Sequence, residues 1–131
     1  MTVYVCVDDS MGVGFNGRRQ SRDSVVTEKI WEMSGGSLLM SRYSAGLFAR
    51  YGAKGADNCA EKAEKGDHYF SEAENLGEYE DKIERLVIFR WNRDYPRDVL
   101  LGIDTDKFTK EDSIDICGTS HEKITCEVWV R

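Results

Sequence analysis

No stretch of this sequence is long and apolar enough to cross a membrane, which takes about 18 or more apolar residues in a row. Nor is there an export signal, since Asp8 and Asp9 break the only apolar run near the start. These absences predict a cytoplasmic protein with no membrane partner. A Cys-x-x-Cys pair is also lacking. Cys6, Cys59, Cys117 and Cys126 are scattered, and the only histidines are His68 and His121. That spacing gives no finger-type zinc site, so neither a metal nor an organic cofactor is expected, and the four thiols are predicted to be reduced. Excess positive charge is missing too. With 18 Lys and Arg against 24 Asp and Glu, the net charge is −6, the wrong sign for a protein that coats nucleic-acid backbone. No repeat, low-complexity tract or linker divides the 131 residues, which predicts a single α/β domain over 1–131.

What the chain does contain is an alternation of strand and helix signals. Val3 to Val7 is apolar on both faces and reads as a central, doubly covered strand, as does Leu86-Val-Ile-Phe89. Val26, Ile30 and Met33 have the i, i+4, i+7 spacing of a helix from Ser24, capped by Ser21, Asp23 or Ser24 and stopped at Ser34-Gly-Gly36. Ser37 to Met40 reads as a short strand, a helix follows from Ser41 or Ser44, Asp57 to Lys65 carries good helix formers, and Asp67 to Glu72 reads as a strand. Val99 to Ile103 fits a strand or a packed loop. Ser113 to Cys117 and Ile124 to Val130 fit a closing hairpin, although Thr119 with Glu122 would also suit a helix-capping box. The fold class expected is α/β: a mostly parallel or mixed central sheet, helices on both faces and a C-terminal antiparallel hairpin. Val3–Val7 and Leu86–Phe89 should be neighbouring central strands, more buried than 124–130.

In such sheets ligands lie beyond the carboxyl ends of the strands, which directs attention to two loops. The first, Gly12 to Asp23, lacks regular periodicity and brings Arg18, Arg19 and Arg22 to the start of a helix. Cations are disfavoured there unless something negative neutralises them. Either Asp8, Asp9 and Asp23 do so, or an anion arrives from outside. Gly12-x-Gly14 is too short for a dinucleotide fingerprint and no P-loop lysine follows. Asn16, Arg18, Arg19, Gln20 and Ser21 are the candidate ligand-binding residues of this loop. The second loop, Arg90 to Pro96, adds Trp91, Asn92 and Arg93, suited to stacking and anion contact. Burial of Trp91 at the core edge is the competing account. Ser120, His121 and Glu122 form a third cluster, with Ser120 a ligand contact and His121 and Glu122 the candidate acid–base pair. An exposed turn histidine is the alternative. Asp8 and Asp9 with Asp104 or Asp106 could hold Mg²⁺, though capping and pairing with Arg18 is simpler.

Three segments, Phe15-Asn-Gly-Arg-Arg-Gln-Ser-Arg-Asp23, Arg90-Trp-Asn-Arg-Asp-Tyr-Pro96 and Ser120-His-Glu-Lys-Ile124, resemble those of a group of small uncharacterised bacterial proteins, some labelled ribonuclease Z. The likeness extends over nearly the whole chain and implies no mechanism. The label itself requires an H-x-H-x-D-H zinc motif, and two histidines cannot supply it.

Two expectations of function follow. In one, the arginine loop, Trp91 to Arg93 and His121 converge on a phosphate-bearing small molecule or nucleotide, with ribonuclease-type phosphodiester chemistry. In the other, the acidic chain is a non-catalytic, immunity-type inhibitor of a basic protein partner. Convergence of Arg18, Arg19, Arg93 and His121 in one cleft separates the first from the second. One outcome is independent of both: thiol titration of freshly purified, denatured protein without reductant should count four, and a lower count would refute the reduced state.

Overall fold

The computed structural model describes all 131 residues. In chain order it contains β1 (Thr2–Val7), β2 (Gly12–Gly14), α1 (Ser24–Met33), β3 (Leu39–Met40), α2 (Arg42–Ala45) running into a 3-10 segment Gly46–Tyr51, α3 (Cys59–Lys62), β4 (His68–Phe70), a 3-10 segment Gly77–Lys82, β5 (Arg85–Arg90), β6 (Val99–Leu100), β7 (Thr109–Ile116) and β8 (Ile124–Val130). Six strands form one sheet in the order β3-β4-β1-β5-β8-β7. The first four run parallel, while β5–β8 and β8–β7 are antiparallel. The expected α/β class with a C-terminal antiparallel hairpin is what the chain adopts.

Two-faced apolarity explains why β1 and β5 sit at the centre. Val3, Val5 and Val7 of β1, with Leu86 and Ile88 of β5, feed the core on one face. Tyr4, Val87 and Phe89 feed the core on the other. The two strands are register neighbours, Val3 opposite Leu86 and Val5 opposite Ile88. Leu86 to Phe89 are fully buried, whereas β8 ends half-exposed at Trp129 and Val130. The face covered by α1 receives Val26 and Ile30 together with Phe48. The opposite face is closed by less regular parts: α3, the Gly77–Lys82 segment, and Leu101 and Phe108 from the connections around β6.

Three sequence expectations need correction. Gly12 to Asp23 is not irregular throughout, because β2 pairs with β6 and Phe15 pairs with Arg18 across a tight turn. Asn16 and Gly17 both have positive φ there, the turn that suits the twist of a two-residue hairpin. The helix expected over 57–65 shrinks to the single turn Cys59–Lys62, since Asn58 is left-handed and Ala63 is extended to bury its methyl group. The capping-box alternative at Thr119–Glu122 forms no helix, because Thr119 and Ser120 are drawn to Asp23 instead. No helix is long and apolar enough to cross a membrane.

Placement in the sheet sets the energetic weight of each residue. Ile88→Ala, in a fully buried position, should destabilise the protein by about 2–5 kcal/mol, while Ile114→Ala, 40% exposed on the edge strand, should change it by less than about 0.5 kcal/mol. Chemical denaturation of the two variants decides this.

Candidate functional site

The loop after β1 bends over the carboxyl ends of the parallel strands, and a single acidic residue determines how it reaches α1. Asp23 has extended backbone and caps the helix, its carboxylate accepting from the Val25 amide at 3.0 Å. The same carboxylate accepts from the amides of Thr119 at 3.0 Å and Ser120 at 2.8 Å, and from both their hydroxyls. It therefore joins the start of α1 to the β7–β8 connection. Gly118 makes this approach possible, because a side chain there would collide with the Asp23 carboxylate. Burial alone would raise the Asp23 pKa, but the amides of Ser120, Thr119 and Val25 with His121 outweigh it and hold the group well below the ordinary carboxylate range.

His121 stands against this carboxylate. Its Nδ1 lies 3.3 Å from Asp23 and its Nε2 lies 2.9 Å from the Tyr95 hydroxyl and 3.2 Å from Ser21 Oγ. An ionised carboxylate only accepts, so Nδ1 carries the proton and Nε2 accepts from Tyr95 or Ser21. The ring stacks on Trp91 with centroids 4.5 Å apart and is 4% exposed. Both nitrogens are engaged inside the protein. The exposed turn histidine considered from sequence is thus replaced by a buried one, and Trp91 takes the packing role. Glu122, expected beside it as an acid–base partner, points outward and is exposed.

Two more carboxylates occupy the neighbouring strand ends. At the end of β1, Asp8 accepts from the amides of Ser10 at 2.9 Å and Gly12 at 2.7 Å, from Gln20 Nε2 at 2.9 Å, and faces Arg97 at 3.4 Å. Burial pushes its pKa up, but these donors pull it below the usual value. Beyond β4, Glu72 forms a two-pronged pair with Arg19 at 2.8 and 3.0 Å and accepts from Ser44 Oγ at 2.8 Å. Arg19 also lies 4.1 Å over the Tyr43 ring. The arginine loop is neutralised from within only at Arg19, by Glu72. Arg18 and Arg22 have no carboxylate within ion-pair distance, while Asp8 is satisfied by amides, Gln20 and Arg97, and Asp23 by amides, hydroxyls and His121.

The candidate residues therefore divide. Ser21, Ser120, His121 and Trp91 gather around Asp23, while Arg19 and Gln20 turn inward to Glu72 and Asp8. Asn16 and Arg18 lie exposed on the β2 turn. Asn92 turns to Lys123 and Thr125 at the head of β8, and Arg93 is exposed. Arg18, Arg19, Arg93 and His121 do not converge in one cleft. No group of acidic, histidine and cysteine side chains is arranged to hold a metal, so the Asp8–Asp9 alternative with Asp104 or Asp106 has no geometric basis.

An open cleft of about 340 Å³ lies instead between α1 and the Gly46–Tyr51 segment, with Arg22, Ser24 and Thr27 on one wall, Leu47, Arg50 and Tyr51 on the other, and Thr119 and Ser120 at the end. Neither Arg22 nor Arg50 has a carboxylate within ion-pair distance. A separate void of about 10 Å³, which shares Leu47 with the cleft, is lined by Val26, Ile30, Phe70 and Trp91. Arg22 was legible from sequence as one of three arginines at the helix start, open to an internal ion pair or to an outside anion. Arg50 and Tyr51 carried no signal, since their place depends on how the 3-10 segment packs on α1.

No protein-family model matches the sequence, and no curated protein matches it at a significant level. Solved structures do match. One is dihydrofolate reductase from Enterococcus faecalis complexed with NADP(H) and RAB-propyl, with a TM-score of 0.71 and 11% identity over 99% of this chain and 95% of that one. At this identity the likeness establishes the fold. A dihydrofolate reductase-like fold over nearly the whole chain overturns the ribonuclease-type reading and the immunity-type alternative with its basic protein partner, and is compatible with a small phosphate-bearing ligand.

Because Asp23 titrates below its unfolded value near 3.9, the folded state binds fewer protons than the unfolded one around pH 4. Its contribution to stability is complete above that region and is lost as pH falls toward the folded-state pKa. Asp23→Asn should cost about 2–4 kcal/mol at pH 7 and leave a shallower loss of stability between pH 5 and pH 2 than the wild type shows. Equal acid slopes in urea denaturation would contradict the assignment.

Proposed function

We propose that the chain binds a small planar organic acid of the dihydrofolate kind in the cleft between α1 and the Gly46–Tyr51 segment. One observation carries this reading. Two guanidinium groups without carboxylate partners, Arg22 and Arg50, border a single cleft whose remaining walls are Gly46, Leu47, Tyr51, small hydroxyl side chains and Asp23, whose carboxylate is already satisfied by the amides of Val25, Thr119 and Ser120. A volume of about 340 Å³ suits one drug-sized ligand. Fixed cations at the rim favour a ligand with a carboxylate tail, since arginine presents a planar fork that matches it. Leu47 and the face of Tyr51, itself held by stacking on Trp31 with centroids 4.9 Å apart, give an aromatic ring an apolar bed. The position of the cleft, beside the carboxyl ends of the parallel strands, agrees with where open α/β sheets take ligands. The structural neighbour's name supplies the substrate class.

Titration with dihydrofolate, with p-aminobenzoylglutamate as the tail alone, and with a pterin lacking the tail tests this. Arg22→Ala and Arg50→Ala should each weaken the two carboxylated probes by roughly 10- to 150-fold, the equivalent of about 1.5–3 kcal/mol for a charge-assisted hydrogen bond. The tail-free pterin should be affected much less. Both variants should keep the wild-type melting temperature, since exposed arginines contribute little to stability. Absence of saturable binding of every probe by the wild type at 1 mM would sink the reading.

A further inference from the structure

The structural neighbour holds NADP(H), and the residues of this chain can be tested against the needs of such a group. A dinucleotide on an open α/β sheet lies in the crevice outside the carboxyl ends of the strands, where the strand order changes direction. Here that place is the end of β1, flanked by β4 and β5. The pyrophosphate requires free backbone amides and glycines that let the backbone come close. It also requires space of several hundred Å³.

We infer that no dinucleotide enters this crevice, because the chain has filled it with its own carboxylates and its own backbone. Three independent observations support this. The amides of Ser10 and Gly12, which the end of β1 would offer to a phosphate, already donate to Asp8. On the other side, the turn after β4 reads Ser71-Glu-Ala-Glu74 without a glycine, and the buried Glu72 is locked to Arg19 and Ser44. An incoming pyrophosphate would meet two anions at close range with their cations already committed. Third, the space is closed. A Cβ added to Gly14 would lie 2.8 Å from the Cα and Cβ of Ala73, so β2 packs directly on the turn that follows β4. The void left among Cys6, Val13, Arg19, Ser71 and Glu72 is about 10 Å³, the size of one water.

Asp8 and Glu72 act as resident anions, and β2 acts as a fixed cover. That conclusion stands apart from the ligand proposed for the α1 cleft, because different residues carry it.

The test is an amide NMR titration of the ¹⁵N-labelled wild type with NADPH and NADP⁺ to 1 mM, with p-aminobenzoylglutamate titrated into a parallel sample. The amides of Ser10, Gly12, Gly14 and Ala73 should not move with either dinucleotide. Shifts confined to Ser24, Thr27 and Arg50 would also support the inference, showing anionic ligands taken by the free arginines outside the crevice. Saturable shifts at Ser10, Gly12 and Ala73 would overturn it. The parallel sample reports separately on the α1 cleft, so loss of one idea leaves the other standing or falling on its own data.

Discussion

The Asp23 carboxylate is the joint on which this site depends. It caps α1, holds the Thr119–Ser120 turn by two amides and two hydroxyls, and faces His121, so one charged group fixes three segments far apart in the sequence. A buried carboxylate is costly unless donors surround it, and here the donors are backbone amides that would themselves be unsatisfied without it. Each side removes the penalty of the other. The same contacts place Thr119 and Ser120 at the end of the open cleft between α1 and the Gly46–Tyr51 segment. Asp8 repeats the principle at the end of β1, where the amides of Ser10 and Gly12 donate to it, whereas Glu72 beyond β4 is held by the side chains of Arg19 and Ser44.

The central sheet was legible because its signal is local. Val3 to Val7 and Leu86 to Phe89 announce burial on both faces, and the spacing of Val26 and Ile30 marks one face of a helix. The α3 region was not legible. Good helix formers from Asp57 to Lys65 gave way to Ala63 and Tyr69 seeking the core, a tertiary demand that outweighs propensity of a few tenths of a kcal/mol per residue. The site was readable in part. That an acidic side chain could neutralise an arginine of this loop follows from composition and helix electrostatics, but the candidates Asp8 and Asp23 pair with Arg97 and His121 instead. That Arg19 would choose Glu72 does not follow, since 53 residues separate the pair. His121 looked like a turn residue because nothing in Ser-His-Glu-Lys reveals a tryptophan stacked on its ring.

An identity of 11% with a TM-score of 0.71 shows how little of a sequence a fold requires. What must persist is the alternation of apolar residues that places β1 between β4 and β5, and a helix with an apolar stripe to cover them. The residues that line the crevice are free to differ, and in this chain they include the charged, internally paired Asp8 and Glu72.

The order of strands also shapes how the protein comes together. Thr2 on the first strand pairs with His68 and with Arg85, so its hydrogen-bonding edges wait for segments made much later. A nascent chain holding only residues 1–60 carries β1 with both edges open and with Val3, Val5 and Val7 uncovered. Parallel pairing over such separations is slow, because loop closure comes before any contact rewards it. During that interval the strand is a template for another chain's backbone. Assembly must proceed around the first strand rather than from it: β1 is enclosed only when β5 is in place, and β8 and β7 complete the sheet beyond it.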